Sequence, residues 1–237
     1  MLPLHCSLVV TDPSLTQPDP PVVDTLQQRF NERFELRDDQ AGDRQDLQGF
    51  IQHCFNIAHG AHIAHFLPRL LSLHERNGAR IAAFGMRSAD REPLFLESYL
   101  DLPIEAQLQA RFGKAVRRED IVEVGNLSAT HAGSTRWLIV AILLLLRREG
   151  YRWIAFTATP VVRNALLRLG LKPHELGTAT LARLPIEHQG DWGNYYRQSP
   201  VVMTGDLDFG FNTLFADAGS IRHLRTTIAT TVARGRP

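Results

Sequence analysis

Cysteine is nearly absent: Cys6 and Cys54 are the two in 237 residues, which gives no disulfide framework and no metal spacing. Charge of one sign is also lacking. A formal net charge of +1 supplies neither a nucleic-acid footprint nor an acidic solvating tail, so no nucleic-acid partner is expected. Long apolar runs are missing too, the longest being Leu138 to Leu146, well short of the roughly 20 residues a membrane span needs. The opening stretch, MLPLHCSLVVTDPSLTQPDPP, has no basic start followed by an apolar core and does not read as a secretory signal. A cytoplasmic protein without stable membrane insertion is expected. Neither GxxxxGK[ST] nor GxGxxG occurs, which makes ATP and NAD poor candidates.

What is present is ordinary globular material, 44% hydrophobic and 22% charged, enough to bury a real core. Ser7–Val10 reads as a strand, Val22–Phe34 as a helix and 35–45 as a polar loop. A helix from Asp46 to Arg76, broken at Pro68, is expected next, then a strand Ala79–Met86 and a strand-like Leu94–Leu100.

From Ile121 the signal sharpens. IVEVGNLSA (121–129) predicts a strand, THAGS a tight loop, and TRWLIVAILLLLRREG a buried helix closed by Gly150. Tyr151–Thr157 predicts a second strand, Val161–Leu169 a helix ended by Gly170, Leu181–Leu184 a last core strand, and Ile221–Ala233 a terminal helix. Alternating strand and helix imply an α/β fold, with a mixed sheet and helices packed against it.

The turn before the long helix is a candidate phosphate seat. A helix N-terminus offers unpaired N–H groups and a positive dipole, Gly133 permits close approach, Ser134 and Thr135 can cap, and Arg136 adds charge. Plain capping explains the same residues.

Several runs resemble the thermostable haemolysin family: FLESYLDLPIE (95–105), RREDIVEVGNLSA (117–129), FTAT (156–159), RLGLKP (168–173) and DWGNYYRQSP (191–200). The upstream FIQHCFNIAHGAHIAHFLPRLLSL and GARIAAFGMRSA look similar to it as well. That family in turn looks like a branch of the N-acetyltransferase superfold, with the layout of acyl-homoserine-lactone synthases. The resemblance implies a three-layer fold over residues 1–200 with a splayed central strand pair, and a C-terminal extension, 201–237, of unknown role. It also implies an acyltransferase that needs no tightly bound cofactor and takes acyl-coenzyme A or an acyl-phosphopantetheine carrier protein as co-substrate. The acceptor would be a small amine or amino acid.

THAGSTR stands where that superfold has a glycine-rich pyrophosphate loop, and Leu166 stands where many acetyltransferases place a tyrosine. The paired tryptophans and acidic residues expected of lactone synthases are missing, so lactone synthesis is not carried over. A membrane-damaging effector and a non-catalytic acyl-thioester-binding module are the rival readings.

Acyl transfer to an amine needs a base and oxyanion donors. Glu123, among apolar strand neighbours, is the leading base candidate, with a structural ion pair to Arg87 as the plainer role. Glu97 is the second, followed by Glu105, while Asp101 reads as a turn residue. Under the superfold resemblance, backbone N–H groups near Leu127 and Ser128 would serve the oxyanion, with Asn126 orienting the strand. Thr157 and Thr159 lie at a strand's C-terminal end, where ligands collect, although Thr159 also suits a helix cap before Pro160. His59, His62 and His65 at i, i+3, i+6 turn about 60° per step on a helix and do not converge, so no metal is expected. Trp192, Tyr195 and Tyr196 would wall an acyl pocket or pack a sheet edge.

Overall fold

Helix α1 (Arg44–His59) follows from apolar residues at i, i+4 and i+8: Leu47, Ile51 and Phe55 are buried along one stripe. Gly60 stops it, adopting φ 63° and returning its N–H to the Asn56 carbonyl. The computed structural model in which this is seen describes residues 27–28, 30–39, 43–190 and 192–215. The expected strand at 7–10 and helix at 221–233 lie outside them, and the expected helix 22–34 lies partly outside.

The helix expected to run to Arg76 therefore ends seventeen residues early. Residues 61–68 are irregular, and β2 (Arg69–Glu75) follows as a strand buried on both faces. Apolar spacing at Ala61, Ile63 and Leu67 imitates a helix because these side chains are buried, but Gly60 had already ended it. The polar stretch after Arg33, expected as a loop, begins with edge strand β1 (Phe34–Asp38), laid antiparallel against β2. Asn77 and Gly78, the latter at φ 90°, turn the chain into β3 (Arg80–Ser88).

Phe95–Tyr99 is a short 310 helix instead of the expected strand. Helix α2 (Ile104–Phe112) leads to β4 (Ile121–Ala129), α3 (Ala132–Arg148), β5 (Trp153–Ala158) and α4 (Pro160–Arg168). These are the elements expected from 121 onward, shifted by one to three residues. Pro160 at the first position of α4 needs no N–H partner, and Gly170 leaves the helix at φ 76°. The last strands are β6 (His174–Thr178) and β7 (Val201–Asp206), followed by α5 (Leu207–Phe215). The core strand expected at 181–184 is a single 310 turn, Leu181–Arg183.

One sheet of seven strands results, in the order β1-β2-β3-β4-β5-β7-β6. Every neighbouring pair is antiparallel except β4–β5. Residues 201–206 thus lie between β5 and β6 inside the sheet, so the first part of the stretch taken for an extension completes the fold. The sheet is a filling between two layers. On one face α3, α4 and α5 bury Leu138, Leu146, Leu166 and Phe211 against Val122, Val124, Phe156 and Met203. Each such side chain contributes about 1.5–3 kcal/mol of apolar burial. The other face carries α1, the 95–99 helix, α2 and the 181–198 segment.

The parallel pair opens partway along. β4 and β5 stay in register from Ile121↔Trp153 to Val124↔Phe156 and then part. β5 continues beside β7 to Ala158, while β4 stays with β3 through a register shift near Gly85. Asn126 takes a left-handed φ of 51° at this point. The three-layer mixed sheet with a splayed central pair is the architecture expected from the sequence.

Candidate active site

The splay is held open by a coil laid flat on the sheet. Gly85 and Gly125 face each other across β3 and β4, and a side chain on either would meet Leu67 within about 3 Å. Their bareness lets Leu67 settle there. Asn126 fastens it: Oδ1 accepts the Leu67 N–H at 2.9 Å and Nδ2 donates to the His65 carbonyl at 3.1 Å. Asn126 therefore satisfies a turn and, in doing so, places His65 beside the opening.

A cleft of 100 Å³ lies there, lined by Glu123, Gly125, Asn126 and Leu127 of β4 and by Thr157 and Thr159 beyond the split. His65, Phe95, Tyr99, Trp192 and Tyr195 form its aromatic wall. The rings are contiguous: His65 stacks on Phe95 at 4.4 Å, Phe95 faces Trp192 at 6.3 Å, and Trp192 meets Tyr195 at 5.6 Å. The segment carrying Trp192 is docked on the end of α1. Asn194 donates its N–H to the His59 carbonyl at 2.8 Å, and Gln198 reaches His59 Nδ1 at 2.9 Å. Gly193 at φ 52° is obligatory here, since a Cβ would lie 2.1 Å from that carbonyl.

Glu123 is 4% exposed and accepts the backbone N–H groups of Phe95 (2.8 Å) and Leu96 (3.0 Å), which fixes the start of the 310 helix over the sheet. Burial pushes its carboxyl up to about 7, against the pull of those two amides and of Arg87. The simple ion pair with Arg87 does not form: Arg87 is engaged by Glu92 at 3.2 Å and donates to the Pro93 carbonyl at 2.9 Å.

Glu97 is not brought to the cleft. Arg118 grips both its oxygens, at 2.8 and 3.0 Å, and the N–H groups of Leu94 and Ile104 donate to it at 2.7 and 2.8 Å. Burial works to raise its carboxyl, but Arg118 and the two amides outweigh it and hold the group below its usual range. Glu105 binds the same arginine at 2.6 Å. Asp101 pairs with Arg183 at the surface, at 2.8 Å.

His65 lines the cleft, as does His59, although the sequence suggested for both no role beyond that of a metal ligand. Burial and the neighbouring His188 imidazole, 5.1 Å away, push the His65 ring down to about 4, so it is neutral at physiological pH. Its Nε2 is buried without a hydrogen-bond partner among the described residues. His59 closes α1, whereas His62 and His65 lie on the coil after it, and no metal-binding cluster occurs among the described residues. Phe55, Phe95 and Tyr99 also line the cleft unforeseen, because each comes from an element that folding alone brings over the sheet. Tyr196 stands behind, its hydroxyl 2.6 Å from that of Tyr99.

Across the split from the cleft lies a second cavity, of 370 Å³, on the α3–α4–α5 face. Val124, Leu127 and Val162 line both. The larger one is walled by Ile139, Leu143, Phe156, Leu166 and Phe209, with Lys172, His174 and Asp206 among its polar residues. Leu166 is thus a cavity wall.

The helix N-terminus differs from expectation. His131 is the N-cap of α3, so Gly133, Ser134 and Thr135 belong to the first turn of the helix. Ser134 is buried, its N–H donating to His131 Nδ1 at 3.2 Å and its hydroxyl within 2.9 Å of Nε2 of the same ring. Its capacity is spent within the protein. Arg136 is half-buried and its Nε has no hydrogen-bond partner among the described residues. Ser128 is buried and donates to the Asn126 carbonyl at 3.2 Å. Thr159 occupies the N-cap position of α4, and its side chain makes no capping bond.

A mixed sheet split between two parallel strands, with an aromatic-walled cleft holding Glu123 on one face and an apolar cavity on the other, defines the fold class. The chain is similar to FeeM, an N-acyl amino acid synthase from uncultured soil microbes, with a TM-score of 0.54 and 14% identity over 78% of this chain and 97% of that one. It is similar to apo TofI with a TM-score of 0.50, again at 14% identity, over 78% of this chain and 99% of that one. No curated protein sequence matches it. The chain belongs to the thermostable hemolysin family, whose model matches residues 37–211.

Proposed function

We propose that the protein is an N-acyltransferase that moves an acyl group from a coenzyme A or acyl-carrier-protein thioester to an amine or amino acid. The observation that carries this reading is the pair of unlike cavities that share Val124, Leu127 and Val162 as lining at the split strands. An acyl thioester is itself two-ended, with an apolar chain and a polar reacting carbonyl. The 370 Å³ cavity suits a medium or long acyl chain, and the thioester carbonyl would stop at the split, beside Glu123.

In this reading Glu123 takes a proton from the acceptor ammonium, which a carboxyl titrating near 7 can do at neutral pH. The freed nitrogen attacks the carbonyl, a C–N bond forms and the C–S bond breaks. Of the two protons the nitrogen loses, one reaches Glu123 and the other the departing thiolate. The β5-side backbone from Gly125 to Ser128, free of β5 beyond Val124, is where oxyanion donors would act, and Asn126 holds that curve. The carrier arm would approach past Thr157, Thr159 and the first turn of α3, where Gly133, Thr135 and Arg136 are the phosphate candidates; Ser134 supports the turn from inside. Glu97 is assigned a structural role. No resident cofactor is invoked, and such donors would place the reaction in the cytoplasm.

The family name records haemolysis. No helix among the described residues is long and apolar enough to cross a membrane, and no feature of the cleft favours membrane damage.

The test is mass-resolved thiol release from acyl-coenzyme A and acyl-carrier-protein donors of graded chain length, with pooled amines and amino acids. Acceptor-dependent release with a new amide is expected, fastest for chains that fill the cavity. Donor binding without release would reduce the protein to a binding module, and lysis of erythrocytes by the pure protein with no donor would replace the reading altogether.

A further inference from the structure

The cleft that would receive the acceptor carries a pattern of charge that discriminates among acceptors. We propose that the acceptor is an amine bearing no carboxylate, in place of an amino acid; this rests on the acyl-transfer reading. Among the described residues lining the cleft there is no lysine or arginine. Its ionisable members are Glu123, His59, His65, Tyr99 and Tyr195, and the one that carries charge near neutrality is an acid. An α-carboxylate would enter a small, half-enclosed space beside Glu123 with no cation to receive it, and like charges in such a place repel strongly.

The cation that the sheet sets beside Glu123 is paired elsewhere. Arg87 stands opposite Glu123 in the β3–β4 ladder, yet its guanidinium goes to Glu92 and to the Pro93 carbonyl. The polar groups that would otherwise recognise a carboxylate are also committed. Both ends of the Asn126 amide are bonded to the 65–67 coil, and the indole N–H of Trp192 donates to the His188 carbonyl at 2.9 Å. Thr157 and Thr159 remain, two neutral hydroxyls on the far rim, along with the β4 backbone N–H groups beyond Val124, which acyl transfer reserves for the oxyanion.

The same lining suits an ammonium group. Phe95, Trp192 and Tyr195 present rings whose faces attract cations, with Glu123 beneath them. His65 completes the fit. Its ring is held by the stack on Phe95 and by the bond from Asn126 to its own carbonyl, and its buried Nε2 has unused hydrogen-bonding capacity. A primary ammonium has three N–H donors. Glu123 and His65 can take two of them, and the attack on the thioester follows the loss of one.

Matched pairs that differ by one carboxylate make the test: tyramine and tyrosine, phenethylamine and phenylalanine, ethanolamine and serine, putrescine and ornithine. The full-length protein is given dodecanoyl- and octanoyl-coenzyme A and the corresponding acyl-carrier-protein thioesters, and kcat/KM is read from thiol release with the amide confirmed by mass. The amine of each productive pair is expected to exceed its amino acid by about tenfold or more. Equal or better use of the amino acids overturns this inference and leaves acyl transfer standing. Absence of release with either member, although the donor binds, overturns the underlying reading and this inference with it.

Discussion

Glu123 reaches the short 310 helix from the sheet and Glu97 lies within that helix; each accepts two backbone N–H groups, yet they end in different charge states. Burial works against both carboxylates. Glu97 has Arg118 within 2.8 Å and stays below the usual carboxylate range, whereas Glu123 has no such partner and rises to about 7. Glu123 is the more deeply buried, and two amides with an unbonded Arg87 do not offset its desolvation, whereas Arg118 in direct contact offsets that of Glu97. One carboxylate is thereby a fastener and the other is left able to exchange a proton.

The sharpest way to break this contrast is Glu123→Gln. Loss of the base is expected to lower kcat by about 10²–10⁴-fold, measured by thiol release. The pH profile sharpens the same point. Wild-type turnover should rise through pH 7 as Glu123 ionises and then level off, and the variant should lack that rise; an unchanged profile in Glu123→Gln removes Glu123 from the chemistry.

Removing the cation from the other carboxylate comes next. Arg118→Met strands Glu97 and Glu105 and is expected to cost about 2–3 kcal/mol in urea unfolding, with the Glu97 carboxyl moving upward. Glu97→Gln keeps the shape and loses the charge, so a cost of about 1 kcal/mol is expected. Its turnover should stay within about threefold of wild type. A collapse of turnover at full stability would return Glu97 to the active site.

A further effect is in linkage. With its folded value raised above the unfolded one, Glu123 contributes stability that is intact below about pH 4 and fades as pH climbs through about 7. Urea unfolding of wild type and Glu123→Gln between those limits should show the difference drifting in favour of the variant with rising pH. A parallel pair of curves would place the Glu123 titration elsewhere.

The part of the molecule most legible from sequence was 121–170. Central parallel strands are buried on both sides and read as unbroken apolar runs, and here glycine and proline punctuate them clearly: Gly150, Pro160 and Gly170 all fall at element ends. Glu123, Asn126 and Leu127 could be named because they sit in that run. The cleft's other wall was legible only at Trp192 and Tyr195. Phe55, His65 and Phe95 come from three separate elements, and local spacing carries no information about their meeting. FLESY alternates like a strand, but Glu123 collects the N–H groups of Phe95 and Leu96 and Glu97 collects that of Leu94 just before them, which holds a 310 turn. Val201–Met203 was overlooked as a core strand since its partners, β5 and β6, lie 20 or more residues away in the chain. Gly60, Gly85 and Gly125 were visible signals. The first marked where a helix had to stop, and the facing pair marked where something had to lie flat.

The parting of β4 from β5 after Val124↔Phe156 also has a signature in deuterium uptake. Amides of Ile121–Val124 that face β5 sit inside a closed ladder and should exchange only in global opening, while those facing β5 from Gly125 to Leu127 lack a strand partner on that side and should exchange orders of magnitude sooner. A donor lodged in the split would supply those amides with acceptors and slow them selectively. A single strand would then report occupancy along its length, protected at one end always and at the other only when loaded.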